Sequence, residues 1–283
     1  QTGGTAVSGS SLIYVNGSNY LQCIDYDDIL VAGGYDQLDI AVGSSWAAYK
    51  CRLINGVHWG FRIRNTVNVD AGGQSILDCT IFPAPNAAAA IRWESGGGLR
   101  VVDNEIIGNS GAIIDGLSYN VPGATVQFQI IGNNIDGCSG RPINIDQAPP
   151  FGLITNNILH TAAGNTNEVI RINIGSDITI AGNVLSTTTA NADAAIVFGG
   201  VQNMTIAPQQ FPGFARMLKY NHTGVPTNIQ DFSTFPTTDF FDSSNSNGTL
   251  VLSNNNLTVS STVLQVNGGI ARALRNGFQQ SCY

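Results

Sequence analysis

Asp78, Asp103 and Glu105 stand at equivalent or neighbouring places around a short phrase that the chain repeats. Carboxylates grouped on one face are what glycoside hydrolysis needs, one as general acid and one as base or nucleophile, about 5 to 9.5 Å apart. They read as the candidate catalytic set, set against the plainer reading of a solvated strip whose charge Lys50 and Arg52 balance. A second set, Trp59, Arg62, Arg92, Trp93 and Arg171, combines ring faces with planar donors, the pairing that holds sugars. Those five read as candidate ligand-binding residues. An inter-subunit surface is enriched in the same residue types, and a plain solvated face fits them as well.

The elements that must position these residues come from the repeat. Val102-Asp103-Asn104-Glu105-Ile106 returns as Ile131-Gly132-Asn133-Asn134-Ile135, Ile154-Thr155-Asn156-Asn157-Ile158 and Ile180-Ala181-Gly182-Asn183-Val184. Leu77-Asp78-Cys79-Thr80-Ile81 and Tyr49-Lys50-Cys51-Arg52-Leu53 extend the series backwards, and Ile206-Ala207-Pro208 extends it forwards. Taking 51, 79, 104, 133, 156, 182 and 208 as centres gives a period of roughly 26 residues, inside the range of stacked repeats. A second apolar strand follows each phrase: 60–63, 90–93, 112–114, 142–145, 169–172 and 195–198. Segments 82–89, 115–125 and 161–167 then read as loops between rungs.

The expected fold is all-β, a parallel β-helix of about seven to eight rungs with a small C-terminal β module. Residues 1–45 read as N-terminal strands, either first rungs or a cap, and 46–215 as the parallel β-helix. Residues 216–248 read as an irregular crossing segment and 249–283 as the β module, with strands at 249–252, 257–259 and 263–266. In each phrase the central Asn is expected to turn inward and donate its amide to the neighbouring rung. Counting outward from the centres places Lys50, Asp78, Asp103, Gly132, Thr155 and Ala181 in one outer row. Arg52, Thr80, Glu105, Asn134, Asn157 and Asn183 form the next.

Composition limits the alternatives. Hydrophobic residues make up 43% of the 283 and charged residues 11%, with 33 glycines, which suits many short strands and tight turns. The formal net charge of -7 argues against sequence-independent nucleic-acid binding, and no apolar run approaches a membrane span. Five cysteines occur without a CxxC pair or Cys/His cluster, so neither metal nor cofactor is expected. Cys51 and Cys79 fall on the same position of successive rungs, about 4.8 Å apart, and can be free thiols or a disulfide. His58, His160 and His222 read as surface or turn residues without a nucleophile partner.

The recurring I-x-N-x-I phrase resembles the right-handed parallel β-helix of pectin-lyase-like proteins, and that resemblance implies the right-handed form of the solenoid. The Asn/Gly/Thr-rich rungs and terminal β module resemble the bacteriophage tailspike and tail-fibre branch more than the polysaccharide-degrading branch. That resemblance implies a homotrimeric virion appendage (alternatively a secreted, extracellular protein) that recognises a bacterial surface polysaccharide beside other virion proteins. It leaves depolymerase activity open. Two alternatives stand beside it: a stand-alone polysaccharide hydrolase or lyase, and a purely structural column. The polygalacturonase motifs are missing from the rungs, with no Asp-Asp pair, His-Gly or Arg-x-Lys there.

Overall fold

The computed structural model describes residues 10–17, 24–42, 46–64, 73–94, 98–108, 113–120, 127–148, 151–189, 192–202, 204–206, 209–210, 212–220, 227–230, 241–242, 249–253 and 270–274. The chain is an all-β parallel solenoid of about six turns. Among the described residues the strands stack into three parallel sheets of 10, 11 and 7 members, called A, B and C here. The strands of sheet C run from Leu30–Ala32 to Val184–Ser186 and bound the three-sided turns. The count is slightly below the seven to eight rungs expected from the phrase.

Each repeated phrase is a corner. In the rung centred on Asn104, a sheet B strand (Leu99–Val102) ends, Asp103 takes a left-handed conformation, and a sheet C strand (Glu105–Ile107) begins. Lys50, Asp78, Asp103, Gly132, Asn156 and Gly182 all hold φ between 52° and 70° at this corner. Only Gly avoids the Cβ penalty there, and Asn and Asp tolerate it best. The left-handed residue also breaks the alternation of a strand: Val101, Asn104 and Ile106 point inward, while Asp103 and Glu105 are exposed.

This fixes the ladder register and corrects part of it. The inward column is Cys51, Cys79, Asn104, Asn133, Asn157 and Asn183, continued by Gln209. Centres 51, 79, 104 and 133 hold; 156, 182 and 208 move by one to 157, 183 and 209. Asn157 and Asn183 therefore leave the outer row for the core, at 0% and 1% exposure. Ile158 and Val184 take their places on the sheet C surface, in register with Asn134. The reason lies in the doublets: Asn156 and Gly182 suit the left-handed corner, which the ladder residue must follow.

Inside the column like stacks on like. Leu53, Ile81, Ile106, Ile135, Leu159 and Leu185 form the sheet C stack, all fully buried. Sheet A contributes two inward rows, Phe61–Ile91–Leu117–Ile143–Ile170–Ile196 and Ile63–Trp93–Tyr119–Ile145–Ile172–Phe198. The third of these strands is Asp115–Asn120, not 112–114, so that segment is part of the sheet and not a loop. It is accepted because Leu117 and Tyr119 fill both inward rows, while a Cβ on Gly116 would meet the Pro142 carbonyl at 2.7 Å.

At the N-terminal end, Ser11–Gly17, Ile24–Asp27 and Leu30–Ala32 are laid into sheets A, B and C as a first rung. Beyond residue 215, Thr227–Gln230, Thr249–Ser253 and Ile270–Leu274 continue sheet B in parallel, and Phe241–Asp242 continues sheet A. The strands expected at 257–259 and 263–266 lie outside the described residues.

Candidate functional site

The sheet A strands also set a chemically dense outer surface. In Asp36–Val42 both Gln37 and Leu38 face inward, Gln37 donating its amide to the Val31, Gly33 and Ile54 carbonyls. That double inward step leaves Asp36 and Asp39 both on the outer side. Asp36 pairs with Trp59, and Asp39 with Arg62, on the next strand (Trp59–Ile63). Arg92, Ser118, Asn144, Arg171 and Val197 continue the Arg62 row.

Around Arg62 the contacts close into a cluster. Its guanidinium lies 4.4 Å from the centroid of the Trp59 ring, donates Nε to Glu94 at 3.2 Å and sits 3.6 Å from Asp36. Glu94 also accepts from Arg92 at 3.4 Å, and Arg92 donates to Ser118 Oγ at 2.6 Å. His58 Nδ1 is 2.8 Å from Asp36 Oδ1, and its ring lies 3.6 Å from Trp59 and 4.4 Å from Tyr35. Tyr35, His58, Trp59 and Arg62 thus form a continuous stack spanning two rungs. Burial pushes the Asp36 carboxyl above its ordinary value, against the opposing pull of His58 and Arg62.

The same chemistry continues to either side. Arg64 grips Asp39 through two donations of 2.8 and 2.7 Å, and Ser11 adds a third at 3.1 Å. Further along, Arg141 donates to Glu168 at 2.6 Å and Arg171 lies 3.8 Å from the same carboxylate. Arg171 also donates to Asn173, which reaches Asp146. Pairs with both partners on neighbouring rungs hold side chains in one geometry, so the surface is preorganised.

Of the five residues expected to bind a ligand, Trp59, Arg62, Arg92 and Arg171 lie on this outer face. Trp93 does not. It is 1% exposed in the core and packs edge-on against Tyr119 with centroids 4.0 Å apart. It falls two residues after inward Ile91, so strand alternation turns it inside.

Asp78, Asp103 and Glu105 come together at the corner between sheets B and C. Asp78 and Asp103 occupy the same left-handed position on adjacent rungs, with Asp78 N donating to the Val102 carbonyl. Glu105 starts the sheet C strand two residues on, and Arg52 stands two rungs away in its row. All three carboxylates are exposed, and none has an ion-pair partner among the described residues. The corner conformation accounts for an Asp at 78 and 103 without catalysis.

Two histidine partnerships escaped the sequence reading. His58 pairs with Asp36, and His160 Nδ1 lies 2.8 Å from Ser186 Oγ on the next rung. Asp36 could have been found only from the sheet A register, because simple alternation from Leu38 places it inside. Cys51, Cys79 and Cys138 are free and buried. The neighbouring Cys51 and burial hold the Cys79 thiol above the ordinary range. Among the described residues no group of three or more His, Cys, Asp or Glu side chains is placed to hold a metal, and no helix is long and apolar enough to cross a membrane. No family model, curated protein or solved structure matches the chain.

Proposed function

We propose that the protein is a glycan-recognition column, and that the outer face of sheet A around Trp59 and Arg62 is its binding surface. The observation that carries this is the Tyr35–His58–Trp59–Arg62 stack, fixed by Asp36 and Glu94 on a parallel sheet. Sugars are bound by ring faces together with rigid planar donors, and here both are prepared before a ligand arrives. Arg62 and Arg92 each keep guanidinium N–H groups beyond those engaged by Asp36, Glu94 and Ser118, so they can donate to hydroxyls.

The rung pattern's resemblance to phage tailspikes and tail fibres extends the proposal to a homotrimeric virion appendage that recognises a bacterial surface polysaccharide. Cleavage of that glycan is the second reading, and it rests on the adjacent Asp78 and Asp103 with Glu105. The test is an array of bacterial polysaccharides probed with the native chain and with Trp59→Ala and Arg62→Ala. Binding lost in both variants supports the proposal; binding that survives both removes sheet A from the account. Sugar release abolished by Asp103→Asn would establish the second reading instead.

A further inference from the structure

We infer that the glycan bound on the outer face of sheet A is electrically neutral, an inference that rests on the binding surface proposed above. Arginine-rich glycan sites ordinarily suggest acidic sugars, because a guanidinium grips a carboxylate through two parallel donations. On this face that geometry is already used internally. Arg64 holds Asp39 through two nitrogens. Arg62 sits between Asp36 and Glu94, and Arg92 donates to Glu94. Arg141 and Arg171 share Glu168.

The balance of charge points the same way. The five arginines stand beside six carboxylates on the described part of this face: Asp36, Asp39, Glu94, Asp115, Asp146 and Glu168. An incoming uronate or sialate would have to displace one of these carboxylates from its arginine and then lie beside it. Like charges at that distance repel. The net charge of the whole chain, -7, adds a repulsive far field. A neutral hexose chain meets none of these costs. Its hydroxyls accept from the spare N–H groups and donate to the spare carboxylate lone pairs, while its apolar faces pack on the accessible edges and end of the aromatic stack.

The test compares neutral and uronate- or sialate-containing polysaccharides by calorimetry on the native chain, at about 50 and 500 mM salt, which spans weak and strong screening. Neutral glycans should bind at both, with less than about a twofold change in affinity, and acidic ones should bind at least tenfold more weakly. A companion variant, Glu168→Gln, leaves Arg141 and Arg171 without their shared carboxylate. It should gain salt-sensitive binding of the acidic glycan. Preference for acidic glycans with steep salt dependence in the native chain overturns the inference while leaving glycan recognition intact. No binding of either class overturns glycan recognition itself.

Discussion

Replacing Asn157 by alanine removes a side chain that serves three rungs at once. Its Oδ1 accepts the Asn133 backbone N–H and the Asn133 amide, both at 2.9 Å. Its Nδ2 donates to the Ile130 carbonyl at 2.9 Å and to Asn183 Oδ1 at 2.9 Å. In Asn157→Ala the Asn133 N–H, 1% exposed as a residue, loses its acceptor, and the Ile130 carbonyl loses a donor. The Asn133 amide keeps Val101 and Ile131 as acceptors, so it is spared. One stranded buried donor costs about 1–3 kcal/mol and each lost hydrogen bond about 1 kcal/mol, so the variant should lose about 3 kcal/mol. Asn156 is adjacent in sequence but exposed at the corner with φ 57°, so Asn156→Ala should cost about 1 kcal/mol or less. Asn156→Gly should be nearly neutral. Urea unfolding monitored by far-ultraviolet circular dichroism gives the midpoints. Equal losses at 156 and 157, or a larger loss at 156, would refute the ladder register.

The two tryptophans should separate stability from binding: Trp93→Ala should lose roughly 3–5 kcal/mol by emptying a core site, and Trp59→Ala about 1 kcal/mol, both read by urea midpoint. Asp115 gives a pH signature. Burial raises its carboxyl, ahead of the opposing hydrogen bonds from Asn144 and Arg141 N, so the folded chain binds the proton more tightly than the unfolded one. Its contribution is therefore most favourable below the ordinary value of 3.8 and falls as pH rises from there through the folded value. Asp115→Asn should flatten that slope and raise the neutral-pH midpoint; an unchanged slope would contradict the burial argument. In a chain carrying Cys23→Ser and Cys282→Ser, Cys51, Cys79 and Cys138 should resist alkylation until urea unfolds the column, as peptide mass spectrometry would show. Rapid native labelling of Cys138, whose thiol burial pushes well above its ordinary value, would count against that core.

The fold was readable because the ladder imposes strong demands at one point per rung. A residue that tolerates the left-handed corner must precede one that satisfies buried backbone groups, and few residue types do either. The same demand explains the slip at 156 and 182. Asn-Asn and Gly-Asn doublets each offer two candidates for the inward place, and only the sign of φ separates them. Strand Asp115–Asn120 was hidden by Asp, Gly, Ser and Asn, weak strand formers held in place here by neighbours on both sides. The site was legible as a set of residue types, not as a geometry. Trp59, Arg62, Arg92 and Arg171 stood out by chemistry, but Asp36 and its hold on His58 and Arg62 depend on the double inward step at Gln37 and Leu38. That step interrupts the two-residue period on which strand faces are counted.

The most direct measurement of the central claim is covalent footprinting of side chains with and without a polysaccharide that binds. Protection is expected at Tyr35, His58, Trp59 and the neighbouring arginines of sheet A, with Asp78, Asp103 and Glu105 labelled equally in both states. Protection confined to the carboxylates at the corner of sheets B and C, with Trp59 unchanged, would contradict the account and move the site to that corner.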